Sequence, residues 1–217
     1  MKTIAVVPMK LNNERLPNKN TTSFDNGMPL CYYILDTLLK VEGVDEVYVY
    51  CSNPIIQEYI PKGVKYLRRK ESLDTSQTKM NEVLRCFAED VDADVYVMTH
   101  ATSPFVKPES INEALSMVKS GAYDSALAVQ KVQEFLWKGG KPFNYDLDNI
   151  PRTQDLEALY SETSGFYIYE KEIITQYNRR VGFKPFLKEV SKIESVDIDE
   201  FEDFQVANAI FNMYIKG

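Results

Sequence analysis

Short apolar runs alternate with amphipathic segments along the first 130 residues of the chain. The apolar runs predict five strands, at 4–7, 47–50, 64–67, 95–98 and 125–129. The segments between them have helical spacing, at 29–41, 55–60, 80–88 and 110–119. Alternating strands and helices of these lengths predict an α/β fold, in which a mostly parallel sheet is covered by helices on both faces.

The pattern changes after residue 129. Turn residues mixed with aromatic ones predict a hairpin-like excursion over 133–155, and exposed aromatic side chains there would be typical of a protein–protein contact. A strand at 165–169 and a final helix at 203–214 follow. Three of the predicted helices each carry an apolar stripe that is expected to face the core. The stripes are Ile34, Leu35, Leu38 and Leu39 in 29–41; Val83, Leu84 and Phe87 in 80–88; and Phe204, Ala207, Ile210 and Phe211 in 203–214.

Composition narrows the class of protein. The 217 residues include 44% hydrophobic residues and carry a net charge of −7, which favours one globular domain over 1–217 and argues against nucleic-acid binding. No apolar run approaches the ~20 residues of a membrane span, and the run at 4–7 is too short for a signal peptide. Three widely spaced cysteines, an odd number, favour reduced thiols in the cytoplasm.

Candidate chemistry lies first in the loops that follow the strands. Parallel sheets bind ligands outside the carboxyl ends of their strands, which singles out the loops at 8–20, 68–79 and 99–104. Lys10, Arg15 and Lys19 in the first loop could converge on a triphosphate, although a solvated loop with scattered charges would explain them as well. The loop is poor in glycine, so it is neither a Walker A loop nor a G-x-G-x-x-G fingerprint.

Two acidic residues near the carboxyl end form the sharpest polar motif. In an extended segment Asp197 and Asp199 share one face and Ile198 points the other way. Two neighbouring carboxylates suit Mg²⁺ with phosphate oxygens completing its shell, and a helix N-terminal cap with surface charge is the alternative.

The single histidine, His100, excludes a histidine-rich metal site and follows the fourth predicted strand. A ligand contact and an ordinary hydrogen-bonded loop histidine both fit its position. Arg152 and Gln154 combine a forked cation with an amide, a weak signal for binding a carboxylate or phosphate.

Six segments then stand in a specific order along nearly the whole chain. They are Val7-Pro8-Met9-Lys10 with Arg15-Leu16-Pro17-Asn18-Lys19-Asn20, Arg69, His100-Ala101-Thr102-Ser103-Pro104, Pro151-Arg152-Thr153-Gln154-Asp155, Glu162-Thr163-Ser164-Gly165-Phe166-Tyr167, and Val196-Asp197-Ile198-Asp199. In this order they resemble the I-P-A-R…L-P-G-K-N, post-strand arginine, Q-x-T-S-P, P-R-R-Q-D, E-N-G-x-x-Y and D-I-D motifs of the acylneuraminate cytidylyltransferases. The CMP-Kdo synthetases are similar, more distant relatives.

The resemblance implies a three-layer, Rossmann-like nucleotidyltransferase fold and a homodimer formed through an excursion over 133–165. It also implies the reaction of CTP with an acidic, nonulosonic-type sugar to give a CMP-sugar and pyrophosphate. CTP-binding roles fall on Pro8, Met9, Lys10, Arg15, Asn20, Arg69 and Ser76. Acceptor-binding roles fall on His100, Thr102, Ser103, Arg152 and Gln154. Catalytic roles fall on Lys19, Asp197 and Asp199, and the two aspartates would hold the cofactor Mg²⁺.

The chain departs from the family pattern at several positions. Lys10 replaces an arginine, Leu11 and Asn12 replace glycines, and His100 replaces a glutamine. These changes leave two alternatives open: a nucleotide-binding dimer without catalytic activity, or a nucleotidyltransferase that uses another nucleoside triphosphate or a non-sialic acceptor.

Overall fold

The structure is a computed structural model that describes residues 1–13 and 15–214. Position 14 of the predicted first loop and residues 215–217 of the predicted domain lie outside the described residues. The strands are β1 (Thr3–Met9), β2 (Glu46–Cys51), β3 (Val64–Arg68), β4 (Val95–Thr99), β5 (Ser125–Val132), β6 (Trp137–Lys138), β7 (Lys141–Pro142), β8 (Leu159–Glu170) and β9 (Pro185–Glu189). The α-helices are α1 (Leu30–Leu39), α2 (Met80–Asp90), α3 (Pro108–Lys119), α4 (Lys171–Thr175) and α5 (Phe201–Tyr214).

A seven-stranded sheet with the order β3-β2-β1-β4-β8-β5-β9 forms the centre of the molecule. Strand β1 pairs in parallel with β2 and β4, β2 pairs in parallel with β3, and β5 pairs in parallel with β9. Only β8 runs against its neighbours, β4 and β5. The predicted α/β fold with a mostly parallel sheet is therefore confirmed.

Strand β1 lies in the middle of the parallel part of the sheet, and all of its residues are buried. Its side chains alternate between two apolar clusters, because successive residues of a strand point to opposite faces. Ala5 and Val7 pack with residues of α1 and α3, whereas Ile4 and Val6 pack with residues of α2 and α4. Helices thus cover both faces, which gives the predicted three layers.

Most residues of the predicted helix stripes are buried, Phe204 and Ile210 of α5 are partly buried, and one residue is exposed. Ile34, Leu35 and Leu38 of α1 face the core, but Leu39 is 40% exposed. Residues of an α-helix are rotated by roughly 100° about its axis from one to the next, so Leu39 lies farther from the middle of the stripe than Ile34, Leu35 or Leu38 do, and it is the last residue of α1. The prediction for Leu39 is wrong for this reason.

A third apolar cluster joins the last helix to the loops above the sheet. Ala207 and Phe211 of α5 pack with Phe24, Phe105 and Ile198. Since Ile198 is fully buried there, this cluster fixes the extended segment that carries its two acidic neighbours.

The second half of the chain differs most from the prediction. The predicted strand at 165–169 is part of the long strand β8, so the predicted excursion over 133–165 ends before Leu159. We call residues 133–158 the excursion; it contains the small antiparallel hairpin β6–β7. The helix α4 and the edge strand β9 were not predicted, and the predicted helix at 55–60 is a 3-10 helix, Pro54–Glu58. Among the described residues, no helix is long and apolar enough to cross a bilayer.

Candidate functional site

The order of the strands places a crevice between β1 and β4. The chain passes from β1 to β2 and β3 on one side, then returns to β4 on the other side of β1. The loops that leave β1 and β4 therefore diverge at this point, which is where doubly wound sheets bind their ligands. The residues that gather here come from the loop after β1, the loop after β4 and the segment before α5.

The loop after β1 turns back on itself through a short 3-10 helix, Lys19–Thr21. Asn18 starts this turn in the left-handed region, at φ 57°. The Asn20 side chain closes the loop by donating its Nδ2 hydrogen to the Lys10 carbonyl, at 3.0 Å. Lys19 and Asn20 are buried although both are polar, so their side chains point into the protein rather than into solvent.

The segment 197–199 crosses the crevice and is held from two sides. The Ile198 amide donates to the Thr102 carbonyl of the loop after β4, at 3.0 Å. The Ile198 carbonyl accepts a hydrogen bond of 2.7 Å from Nζ of Lys19. Three parts of the chain that are far apart in sequence thus meet at one residue.

The carboxylate of Asp199 faces the cations of the first loop. Its Oδ1 lies 2.8 Å from a guanidinium nitrogen of Arg15 and 3.2 Å from Nζ of Lys19. Partial burial opposes ionisation of Asp199, but the hydrogen bonds and positive charges of Lys19 and Arg15 hold the pKa of its carboxyl below the usual value. Asp199 is therefore ionised at neutral pH.

The carboxyl group of Asp197 lies in a different environment. Burial raises its pKa, as does the negative charge of Asp199, while a hydrogen bond from Thr102 partly offsets the shift. Its Oδ1 is buried and has no hydrogen-bond partner among the described residues. A buried oxygen without a partner is costly, and a cation bound there would satisfy it.

The residues present fit a magnesium ion. Mg²⁺ prefers one or two carboxylates and takes the rest of its oxygen shell from water and phosphate. Asp197 and Asp199 supply such a pair, and within residues 1–13 and 15–214 no group of three or more histidine, cysteine or acidic residues forms an all-protein metal site. The pair would bind the ion only together with other oxygen ligands.

His100 follows β4 and is electrically neutral in this structure at neutral pH. Burial, with the positive charges of Arg180 and Lys19, lowers its pKa to about 4, and the negative charge of Asp199 only partly opposes this. A neutral imidazole can both donate and accept a hydrogen bond, so His100 can contact a ligand hydroxyl without adding charge.

A cavity of about 480 Å³ opens beside the first loop. Its walls come from the loops after β1, β2 and β3, and the lining residues are Leu11, Asn12, Ser52, Asn53, Pro54, Arg68, Glu71 and Asp74. Arg69 does not line this cavity. Its guanidinium binds Asp74 through two hydrogen bonds of 2.9 and 2.6 Å, and Asp74 also accepts from the Ser52 hydroxyl. Arg69 therefore positions a carboxylate on the cavity wall.

Some predicted nucleotide residues are not placed to offer a side chain. Pro8 and Met9 are buried residues of β1, so only their backbone could reach a ligand. Ser76 lies on an exposed turn before α2.

Lys10, in contrast, can offer its side chain to a ligand. It is half-buried at the start of the loop and forms no ion pair among the described residues, which leaves its ammonium group available.

The predicted acceptor residues fall into two groups. Thr102 lies at the crevice, but Ser103 is fully buried and its side chain does not reach the surface. Arg152 and Gln154 are exposed on the excursion, and the guanidinium of Arg152 is paired with Asp155 at 2.7 Å. The structure records no contact from either residue to the crevice within the part of the chain it describes.

Sequence reasoning missed Arg180, which lies between α4 and β9. Its guanidinium stacks 4.1 Å from the centre of the Tyr167 ring and donates to the Tyr167 hydroxyl at 3.3 Å. The hydroxyl in turn donates to the Glu162 carboxylate at 2.8 Å. The only sequence signal was a pair of adjacent arginines in a stretch with no predicted element.

A family model described as cytidylyltransferase matches residues 4–215. The chain belongs to the cytidylyltransferase family.

Curated members of the family are similar along most of this chain. An N-acylneuraminate cytidylyltransferase of Streptococcus agalactiae serotype III (strain NEM316) is 26% identical over 215 residues, covering 94% of this chain and 52% of that protein. One from Oncorhynchus mykiss is 28% identical over 213 residues, covering 94% of this chain and 49% of that protein. The chain therefore spans about half the length of these curated relatives.

The fold is also that of a solved enzyme. A CMP:2-keto-3-deoxy-manno-octonic acid synthetase, solved in complex with CTP, superposes with a TM-score of 0.75, covering 99% of this chain and 100% of that chain at 16% identity. At this identity the likeness establishes the fold alone.

Proposed function

We propose that this protein is a magnesium-dependent cytidylyltransferase that joins CMP from CTP to an acidic sugar of the nonulosonic type. The observation that carries the proposal is the contact between Lys19, Arg15 and the segment 197–199 at the crevice. It joins the cations suited to a triphosphate to the carboxylates suited to a metal, in a chain of the cytidylyltransferase family. The names of the relatives support CTP and an acidic sugar as the substrate classes.

Binding of the triphosphate would rest on the loop after β1. Lys19 uses two donor directions for Ile198 and Asp199, and its ammonium group has a third hydrogen for a phosphate oxygen. Lys10 is available for a second phosphate, and Arg15 is exposed enough to turn from Asp199 towards another. The cavity of about 480 Å³ beside this loop is large enough for the nucleoside.

Asp197 and Asp199 would hold Mg²⁺, which when bound supplies positive charge to the α-phosphate and the leaving pyrophosphate. The side chains of this chain do the rest by position and charge. The acceptor hydroxyl oxygen would form a bond to the α-phosphorus and lose its proton to water, while the bond from that phosphorus to the bridging oxygen of pyrophosphate breaks. The electron pair leaves with pyrophosphate, whose charge Lys19 and Arg15 would neutralise.

The homodimer and the cytoplasmic location are parts of the same proposal. Large apolar side chains are exposed on the excursion: Phe135, Trp137, Phe143, Leu147 and Ile150. A second copy of the chain would cover this surface. All three cysteines are unpaired, and Cys31 and Cys51 are buried, which is consistent with a reducing compartment.

The test is turnover by the purified protein. With CTP, Mg²⁺ and N-acetylneuraminate or 3-deoxy-manno-octulosonate, we expect release of pyrophosphate and formation of the CMP-sugar, and UTP, ATP and GTP should give far less. CTP binding without turnover over both acids would favour the nucleotide-binding dimer instead. Preference for another triphosphate would contradict the assignment of CTP.

A further inference from the structure

Arg180 differs from Arg15 and Arg69 because it has no carboxylate partner among the described residues. Arg15 is paired with Asp199, and Arg69 is paired with Asp74. Arg180 is half-buried, yet it forms no ion pair within the described part of the chain. A partly desolvated guanidinium without an anion is a binding group with unused capacity.

The contacts of Arg180 fix its position and leave most of its donors free. Its stacking on the Tyr167 ring holds the plane of the guanidinium, and one nitrogen donates to the Tyr167 hydroxyl. Burial raises the pKa of Tyr167 to about 12, so the hydroxyl keeps its proton and donates it to Glu162. A guanidinium has five hydrogens to donate, and the recorded bond uses only one of them.

Arg180 lines a cavity of about 340 Å³. The wall is formed by Lys79, Met80, Asn81, Glu162, Arg179, Arg180 and Val181. Three of these residues are cationic and one is acidic, so the cavity favours an anion. A volume of this size can hold one acidic sugar.

Arg180 also lies near the carboxyl end of β4, because Tyr167, on which it stacks, pairs with Met98 of β4, two residues before His100. The charge of Arg180 lowers the pKa of His100 more than the charge of Lys19 does, and Asp199 acts on the same imidazole in the opposite direction. His100 is thus within electrostatic range of both Arg180 and the Lys19–Asp199 pair. A ligand anchored at Arg180 would extend past His100 towards the α-phosphate.

We propose that Arg180 binds the carboxylate of the acceptor sugar and thereby selects acidic acceptors. The inference rests on the proposed function and adds the residue that recognises the acid. It replaces Arg152 in this role, because Arg152 is exposed on the excursion and already paired with Asp155. Arg180 supplies a planar fork for two carboxylate oxygens, while Tyr167 keeps the fork in position.

The test compares each acid with its own methyl ester, which lacks the negative charge. For the wild-type protein and for Arg180→Met, kcat/KM is measured with N-acetylneuraminate and with its methyl ester. We expect Arg180→Met to lower kcat/KM for the acid about 10- to 100-fold, the range of a charged bidentate hydrogen bond, and to leave the ester nearly unchanged. The loss should lie mainly in KM for the acid, and the Kd for CTP by calorimetry should stay the same.

Two further variants separate recognition from a structural effect. Arg180→Lys keeps the charge without the fork and should recover part of the acid preference. Arg85→Met, an exposed arginine of α2, is the matched control and should behave as wild type. Equal losses for acid and ester in Arg180→Met would mean that Arg180 only supports Tyr167, and loss of acid preference in Arg152→Met instead would assign the carboxylate to Arg152; either result overturns the proposal.

A binding measurement keeps this proposal separate from the proposed function. If the wild-type protein releases no pyrophosphate, the function fails, and N-acetylneuraminate binding is then measured directly by NMR in the presence of CTP. Binding of the acid that Arg180→Met weakens at least tenfold would still support Arg180 as the anion anchor. No binding of the acid to the wild-type protein, or equal binding to the variant, would overturn it.

Discussion

Two arginine–aspartate pairs show how differently the crevice and the excursion are built. The side chains of Arg69 and of Asp74, which lines the cavity of about 480 Å³, are 4% and 19% exposed. Those of Arg152 and Asp155, on the excursion, are 72% and 48% exposed at nearly the same distance. The first pair is part of the packed protein, and the second is surrounded by water.

The hydrogen bonds that stabilise the crevice and the excursion show the same contrast. Lys19 reaches Ile198 and Asp199 across about 180 residues of sequence, and the Ile198 amide closes the contact at Thr102. In the excursion the bonds are local, such as the one from Asn144 to the carbonyl of Glu134. The crevice is therefore preorganised within one chain, whereas the excursion presents apolar side chains that the described residues leave exposed.

The largest expected effect concerns the paired aspartates. Asp197→Asn and Asp199→Asn should each lower the rate of pyrophosphate release by about 1000-fold, because each removes a charge from the magnesium site. The fold should remain, as judged by circular dichroism. Asp148→Asn, on the exposed surface of the excursion, is the matched control and should leave the rate unchanged. Full activity of Asp199→Asn would remove the metal assignment.

The two arginine pairs can be compared directly by urea unfolding. Arg69→Met leaves the carboxylate of Asp74 in a largely buried position with only the Ser52 hydroxyl, and should lower the free energy of unfolding by about 3 kcal/mol. Arg152→Met removes an exposed ion pair and should change it by less than about 0.5 kcal/mol. Similar losses in both variants would show that burial does not separate the two regions.

The third expected effect is a dependence of the free energy of unfolding on pH. The pKa of His100 lies near 4 in the folded protein and 6.5 is its ordinary value, so the unfolded chain binds more protons between these values and acid lowers stability. From pH 7 to pH 5 the free energy of unfolding should fall by about 2 kcal/mol through this residue alone. In His100→Gln this part of the pH dependence should be absent, measured by urea unfolding at both pH values. An unchanged slope in the variant would mean that other groups carry it.

The smallest effect is expected at the surface of the excursion. Trp137→Ser should raise the dissociation constant of the proposed homodimer about tenfold in sedimentation velocity, without changing urea unfolding. Val206→Ser is the matched control, because Val206 of α5 is 57% exposed and Trp137 is 59% exposed. A wild-type protein that stays monomeric at high concentration would contradict the dimer.

The sequence by itself determined the elements whose apolar residues form a continuous run or a regularly spaced stripe. The continuous apolar run of β1 and the stripe of Val83, Leu84 and Phe87 in α2 were predicted correctly. It also identified Lys19, Asp197 and Asp199 as candidate residues, because a cation or a carboxylate pair in a loop is visible without a structure. Periodicity could not show that Leu39 faces solvent, or that β9 closes the edge of the sheet.

Only the tertiary structure decided which of these residues meet. The strand order brings the loops after β1 and β4 together, and the apolar cluster around Ile198 holds the acidic segment across them. It also showed that Ser103 is buried, that Arg69 is paired with Asp74, and that Arg180 stacks on Tyr167 without an ion pair in the described part of the chain. The physical reason is that the local pattern of apolar and polar residues indicates which face of one element is buried. A binding site, in contrast, is made by contacts between elements that are far apart in the sequence.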